Sequence, residues 1–220
     1  MKEAESTRRE CWSCRAESGA ALACPGCGAV QPLPAGADLF AVLGLPRRLA
    51  VDAADLERRY HAASRAVHPD RFQIGSPRER ELSLAASAAV NRAHRTLRDP
   101  VARGRYWLEL HGARLGGGGP QVPPAIAAEV FETQEKLEEL RAAGSPELRR
   151  EVEALRDGFA ARVGALRGEL VALYATANGG GVPSLDELGR RLSEIAYLRT
   201  LLGDIEGATG EGFRGTDHRH

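Results

Sequence analysis

The most reactive groups in this chain are four cysteines near its start. They form two pairs, Cys11-Trp12-Ser13-Cys14 and Cys24-Pro25-Gly26-Cys27, with nine residues between them. Two thiolates three positions apart can grip one metal ion from a tight turn, and two such turns complete a tetrahedron. Gly28 suits the second turn, where the backbone must bend back so that its N–H groups face sulfur. The expectation is one structural zinc ion on Cys11, Cys14, Cys24 and Cys27. Iron in the same four sulfurs stays open, because spacing does not separate the two metals. Two disulfides are the rival; Met1 to Glu10 is charged and lacks the apolar segment of a secretory signal, which argues against them. A redox dithiol would need a βαβ context that the sequence does not offer.

The second reactive set is His68-Pro69-Asp70. An imidazole and a carboxylate invite a catalytic reading, but no third polar group nearby completes a nucleophile–base–orienter set. Pro69 ends any helix that reaches it, and His68 before it is pushed toward extended geometry. An exposed loop between two helices is expected, and on the tripeptide alone an ordinary turn is the bland alternative.

The elements that must position these residues read as helices. Asp52 is an N-cap, and Leu56, Tyr60, Ala63 and Val67 recur at helical spacing as core. Ser76-Pro77-Arg78-Glu79 combines a Ser cap, a first-turn Pro and a capping-box Glu. The helix it opens runs to about Arg98 and packs back on its predecessor through Leu82, Ala86, Ala89, Val90, Ala93 and Leu97. Asn91 is expected to bond nearby backbone. A short helix over 38–43 precedes this hairpin, and a fourth from Asp99-Pro100 ends at Gly112. Gly116 to Pro120 and Pro123-Pro124 form a linker. Beyond it come a helix over about 124–142 marked by Val130, Phe131, Leu137 and Leu140, and a long one from Ser145-Pro146. The long helix has an apolar seam at Leu148, Val152, Leu155, Phe159, Val163, Leu166, Leu170 and Leu173. Asn178 to Gly181 turns the chain, and the Ser184–Glu187 capping box opens a last helix through about Ile205.

Thirty basic and thirty acidic residues cancel, so net charge draws the chain to neither nucleic acid nor anionic membrane. Residues 11–35 hold Arg15 as their one cation, too few for a nucleic-acid-binding zinc ribbon. No apolar run is long enough to cross a bilayer. A cytoplasmic location is expected.

Several motifs then occur in a telling order. Asp38-Leu39-Phe40-Ala41-Val42-Leu43-Gly44-Leu45 precedes the loop, Leu56-Glu57-Arg58-Arg59-Tyr60 leads into it, and Ala89 to Leu97 follows. This order resembles a J-domain, the module by which co-chaperones of the DnaJ type engage a DnaK-type ATPase. Asp99-Pro100-Val101-Ala102-Arg103 and Tyr106 to Gly112 further resemble HscB-type co-chaperones of iron–sulfur cluster assembly. The resemblance runs from about Asp38 to about Glu206, and the tetracysteine N-terminus is similar to the longer, metal-binding members.

The resemblance implies an all-α fold: a tetracysteine segment (1–35), a J-domain helical hairpin (36–113), a C-terminal three-helix client-binding bundle (114–206) and a disordered tail (207–220). It implies a co-chaperone, not an enzyme, that stimulates a DnaK/HscA-type ATPase through His68, Pro69 and Asp70, with Arg58, Arg59 and Arg65 meeting an acidic patch on the chaperone. It implies delivery of an IscU-like scaffold held by Phe131, Glu132, Glu135 and Glu139 on the bundle's first helix and Tyr197 on its last. Ala127 and Ala128 depart from the family, which carries larger apolar residues there. The alternative is a J-domain co-chaperone for a different client.

Overall fold

The computed structural model describes residues 9–113, 126–176 and 184–210. Every regular element among them is helical, and two isolated antiparallel bridges, Glu10 with Glu17 and Ala23 with Val30, lie in the cysteine segment. The helices are α1 (Leu39–Val42), α2 (Ala53–Val67), α3 (Pro77–Arg98), α4 (Pro100–Leu110), α5 (Ala127–Ala143), α6 (Pro146–Thr176) and α7 (Leu185–Thr209), with a 3-10 turn at Pro69–Phe72. Their starts follow local chemistry. The Asp52 carboxylate accepts from Asp55 N at 2.6 Å, Ser76 and Glu79 close a reciprocal capping box, and Ser184 accepts from Glu187 N at 3.1 Å. The linker at 114–125, the turn at 178–181 and the tail beyond 210 lie outside the described residues.

The chain forms two compact units, Met1–Arg103 and Gly104–His220, dividing within α4. In the first, α2 and α3 run antiparallel: Glu57 pairs with His94, Tyr60 with Asn91 and Val67 with Ser83. Phe40, Leu56, Val67, Ala86, Val90, Ala93 and Leu97 fill the core. Each large apolar side chain buried this way contributes about 1.5–3 kcal/mol.

Two expectations for this unit need correcting. Tyr60 and Ala63 are half-buried rather than core; the Tyr60 ring stacks on His94 with centroids 3.9 Å apart. The Asn91 side chain, expected on nearby backbone, accepts from the Tyr60 hydroxyl at 3.1 Å. The cysteine segment belongs to this same unit, and the Arg78 guanidinium of α3 sits 4.4 Å over the Trp12 ring.

The second unit holds the end of α4 and an up-down-up bundle. Arg162 of α6 pairs with Glu129 of α5 at 2.9 Å and with Glu194 of α7 at 2.6 Å, so one guanidinium ties all three helices. Val152, Phe159, Val163, Leu166, Leu170 and Tyr174 of α6 meet Leu188, Leu192, Ile195, Leu198, Leu201 and Ile205 of α7 in the core. Leu155 and Leu173, expected in the seam, are half-buried. Gly104 of α4 lies so close to Tyr174, Leu188 and Leu192 that a Cβ there would enter the Tyr174 hydroxyl. The expected tail begins too early. The last helix continues through 207–209, because Thr209 is buried and its carbonyl accepts from Arg149 at 2.8 Å. Gly210, with φ 73°, then ends it.

Candidate functional site

The turn between α2 and α3 is fixed by its own Arg71 and by side chains of α3. The carbonyl of Val67 accepts from Ser83 Oγ at 2.7 Å and Ser87 Oγ at 3.1 Å, both on α3. Arg71 folds back to donate to the Arg65 carbonyl at 3.0 Å, meeting an orphan acceptor at the end of α2. Phe72 is buried, and Arg80 donates to the Gly75 carbonyl at 2.9 Å. With the backbone satisfied in this way, the side chains of His68 and Asp70 stay outward, 52% and 74% exposed. His68 Nδ1 accepts from Asp70 N at 3.3 Å, which in the neutral ring leaves the proton on the outward Nε2. The loop presents a donor and a carboxylate on a stiff turn, a surface suited to binding.

Of the three arginines proposed beside it, Arg58 and Arg65 are exposed, and Arg58 pairs with Asp55. Arg59 is half-buried and makes contacts within the fold. It bonds Asp55 at 2.9 Å and donates to the Gly44 carbonyl, bracing the turn after α1. Sequence reasoning missed Ser83, Ser87, Arg71 and Arg80 as the loop's braces. Two serines four apart on the face of α3 that also carries Ala86 and Val90 were the available signal.

The four cysteine sulfurs converge, all within 4.8 Å of one another. Cys11 to Cys27 and Cys14 to Cys24 are each 3.7 Å. Tetrahedral zinc with bonds of about 2.3 Å spaces its sulfurs by about 3.8 Å. The two pairs are built alike. Arg15 N donates to Cys11 O at 3.0 Å and Gly28 N to Cys24 O at 2.9 Å, and both residues are left-handed, at φ 65° and 77°. Ser13 N and Gly26 N each point at the first sulfur of their pair at 3.4 Å.

The surroundings of the thiols differ. Burial works to raise Cys11, but the backbone N–H groups of Cys14 and Ser13, with Cys24 and Cys27, bring it down to about 6. At Cys14 the Ala16 amide pulls the thiol down, yet Cys27, burial, Cys24 and Cys11 carry it up to about 12. Four thiols this close ionise together only around a cation. Cys11, Cys14, Cys24 and Cys27 could hold a metal ion.

On α5, Phe131 is 66% exposed, and Glu132, Glu135 and Glu139 are exposed on the same side at helical spacing, with Ala128 before them. Tyr197 is half-buried on α7, three residues after Glu194 and seven before Asp204. Both of those residues are tied to α5, Glu194 through Arg162 and Asp204 by Gln134 at 3.2 Å. Tyr197 therefore falls in the register of α7 that flanks α5.

Among the described residues no helix is long and apolar enough to cross a membrane. No protein-family model matches the chain. Individual relatives do. A co-chaperone protein HscB homolog from Aromatoleum aromaticum is 44% identical over 108 residues, 49% of this chain and 61% of that protein. The homolog from Bordetella pertussis is 37% identical over 122 residues, 54% of this chain and 72% of that protein. The matched segments span about three-fifths of the length of several such relatives. The crystal structure of human co-chaperone protein HscB superposes with a TM-score of 0.63 at 26% identity, covering 90% of this chain and 97% of that one. With that fold, that hairpin loop and those relatives, the chain belongs to the HscB co-chaperone family.

Proposed function

We propose that this protein is an iron–sulfur co-chaperone that stimulates the ATPase of a DnaK/HscA-type chaperone and brings it an IscU-like scaffold protein. The observation that supports this most is the outward His68-Pro69-Asp70 loop on a turn braced by Ser83 of α3 and by its own Arg71. A stiff loop meets its partner with little ordering cost, and differential contacts there bias the chaperone toward its client-holding state. Arg58 and Arg65 supply charge for an acidic chaperone surface, and Arg59 contributes by holding their helix in place. The chemistry belongs to the partner's nucleotide site, so this chain is a regulator rather than an enzyme.

The scaffold is held by Phe131 with Glu132, Glu135 and Glu139, and by Tyr197 alongside, which together fit an apolar patch rimmed by basic groups. Cys11, Cys14, Cys24 and Cys27 carry one structural zinc ion, which supplies folding energy to a segment too short to build a core. The protein works in the cytoplasm. A different client is the second reading, favoured by exposed Ala127 and Ala128, which offer little apolar area on the binding face.

The deciding experiment is the steady-state ATPase rate of the chaperone with this protein, the scaffold, or both. The expected result is a rate with both that exceeds the product of the separate accelerations. Stimulation by this protein with no further effect of the scaffold would move the reading to another client, and no stimulation at all would end it.

A further inference from the structure

Past the cysteines themselves, the two halves of the tetracysteine site are related by a shift of thirteen residues, and the backbone repeats faithfully. Ser18 N donates to Arg9 O at 2.7 Å, and thirteen residues on, Gln31 N donates to Leu22 O at 2.8 Å. Cys11 N donates to Ala16 O, and Cys24 N to Ala29 O. The side chains at the two equivalent positions do different things. Ser18 Oγ donates to Arg9 O at 3.0 Å, within its own half. Gln31 is buried, at 2% exposure, and reaches across to the other half. Its Nε2 donates to Cys11 Sγ at 3.2 Å and to Ala29 O at 2.8 Å.

That amide is over-determined. Both of its hydrogens have acceptors, and a flipped amide would set its oxygen against a thiolate and a carbonyl. Cys11 thus receives a side-chain donor in addition to the Ser13 amide and is fully buried, while Cys14 and Cys27 are exposed. A hydrogen bond to a metal-bound thiolate removes charge from sulfur, fixes its direction and shields it from attack. The thiolate that is buried and bonded is the last to let go.

We infer that Gln31 is a positioning residue that makes Cys11 the anchoring ligand of the metal, so that metal exchange begins at the exposed Cys14 and Cys27. The inference rests on reading the four cysteines as a metal site. It concerns this chain's own asymmetry, which the repeated backbone does not require. Because the sister position carries Ser18, Gln31→Ser installs what the fold already accommodates in its other half.

The test uses the full chain loaded with Zn²⁺ or Co²⁺. Gln31→Ser and Gln31→Glu are compared with the wild type in transfer of metal to a chromophoric chelator. The expected result is metal loss about 10–100-fold faster in both variants, in line with groups that orient metal ligands. The thiolate-to-cobalt charge-transfer band should shift to lower energy in Gln31→Ser, because the sulfur becomes richer in electrons; a merely structural role would leave it in place. Alkylation of the zinc-loaded wild type, mapped by mass spectrometry, should modify Cys14 and Cys27 before Cys11, and Gln31→Ser should narrow that order. Equal metal-loss rates within about twofold, or Cys11 modified as early as Cys14 in the wild type, would overturn the inference while leaving the metal site standing. Failure of the wild type to bind either ion would overturn both.

Discussion

Replacing His68 by Gln separates the loop's function from its stability. In the structure the imidazole accepts from Asp70 N at 3.3 Å and lies 3.5 Å from the exposed Asp70 carboxylate, and its side chain is 52% exposed. Water or the glutamine carbonyl takes over an acceptor that long and that wet, so the loss is about 0.5 kcal/mol or less. For a unit of this size that moves Tm by no more than about 2–4 °C. The loop's braces, Ser83 and Arg71, are untouched. The helical circular dichroism spectrum and the melting curve should therefore match the wild type, while stimulation of the chaperone ATPase falls to the unstimulated rate.

Ser83→Ala is the converse control. It removes a fully buried 2.7 Å bond to the Val67 carbonyl but leaves that carbonyl its bond from Ser87, at a cost of about 1 kcal/mol. It should lower Tm by about 4–8 °C with stimulation largely kept. If the His68→Gln protein, folded as judged by its melt, still stimulates at half the wild-type level or more, the imidazole is not the contact and the assignment of the loop is wrong.

Phe131→Ala removes the one large apolar side chain that α5 turns to solvent, which should weaken scaffold binding by about 1–2 kcal/mol, or about 5–30-fold, in isothermal titration, with Tm unchanged. Unaltered affinity would take the client off this face. Glu57 is held below its ordinary carboxyl range chiefly by its hydrogen bond from His94 at 2.8 Å, against some desolvation. A carboxylate depressed in the folded state stabilises above its unfolded pKa of about 4.3 and loses that contribution as pH falls through the folded value. Glu57→Gln should thus melt below the wild type at pH 7 and converge with it once the pH has fallen through the lowered folded-state pKa of Glu57; a gap that persists or widens in acid would contradict this. Gly104→Ala gains about 1 kcal/mol of helix propensity but forces a methyl into Tyr174 and to 3.2 Å from Leu192, which costs about 1–3 kcal/mol. The net should be destabilising, and adding Tyr174→Phe should recover part of it in a double-mutant cycle.

What the sequence made legible is what local rules decide. Asp52, Ser76 with Glu79, and Ser184 cap helices through groups three residues away, though the Glu187 carboxylate meets Arg191 rather than closing the expected box, and Pro69 breaks a helix by its own ring. The cysteine spacing worked for the same reason, since each pair is a single turn. What stayed hidden depends on residues distant in the chain. Gln31 and Cys11 are twenty apart, and nothing in the pattern around either announces the other. Helical period marked Tyr60 as inward-facing without showing that it would meet His94, a half-polar neighbour that keeps the ring near the surface. Arg58 and Arg59 are adjacent and alike in sequence; only the position of the Gly44 carbonyl, fifteen residues back, assigns the second to bracing. Arg15 was legible in principle, because a shift of thirteen residues lays it on Gly28 and predicts the same left-handed turn.

The same division governs how the molecule tolerates change. The residues assigned to partners, His68, Asp70, Phe131 and Glu132, Glu135 and Glu139 of α5, are exposed, and each makes few bonds within the chain. Their backbone is held by others: Ser83, Ser87 and Arg71 for the loop, and Arg162 with Leu137 and Leu140 for α5. Stability and recognition therefore rest on separate sets of side chains, joined by a stiff backbone. Surface substitutions away from packed features change stability by about 0.5 kcal/mol or less, whereas loss of a buried bond or contact costs about 1 kcal/mol or more. A scan that measures both Tm and chaperone stimulation should place the partner residues and the bracing residues in opposite corners. Variants that lose both together should mark the points where the two sets touch, and the Val67 carbonyl, one residue before His68, is the first place to look.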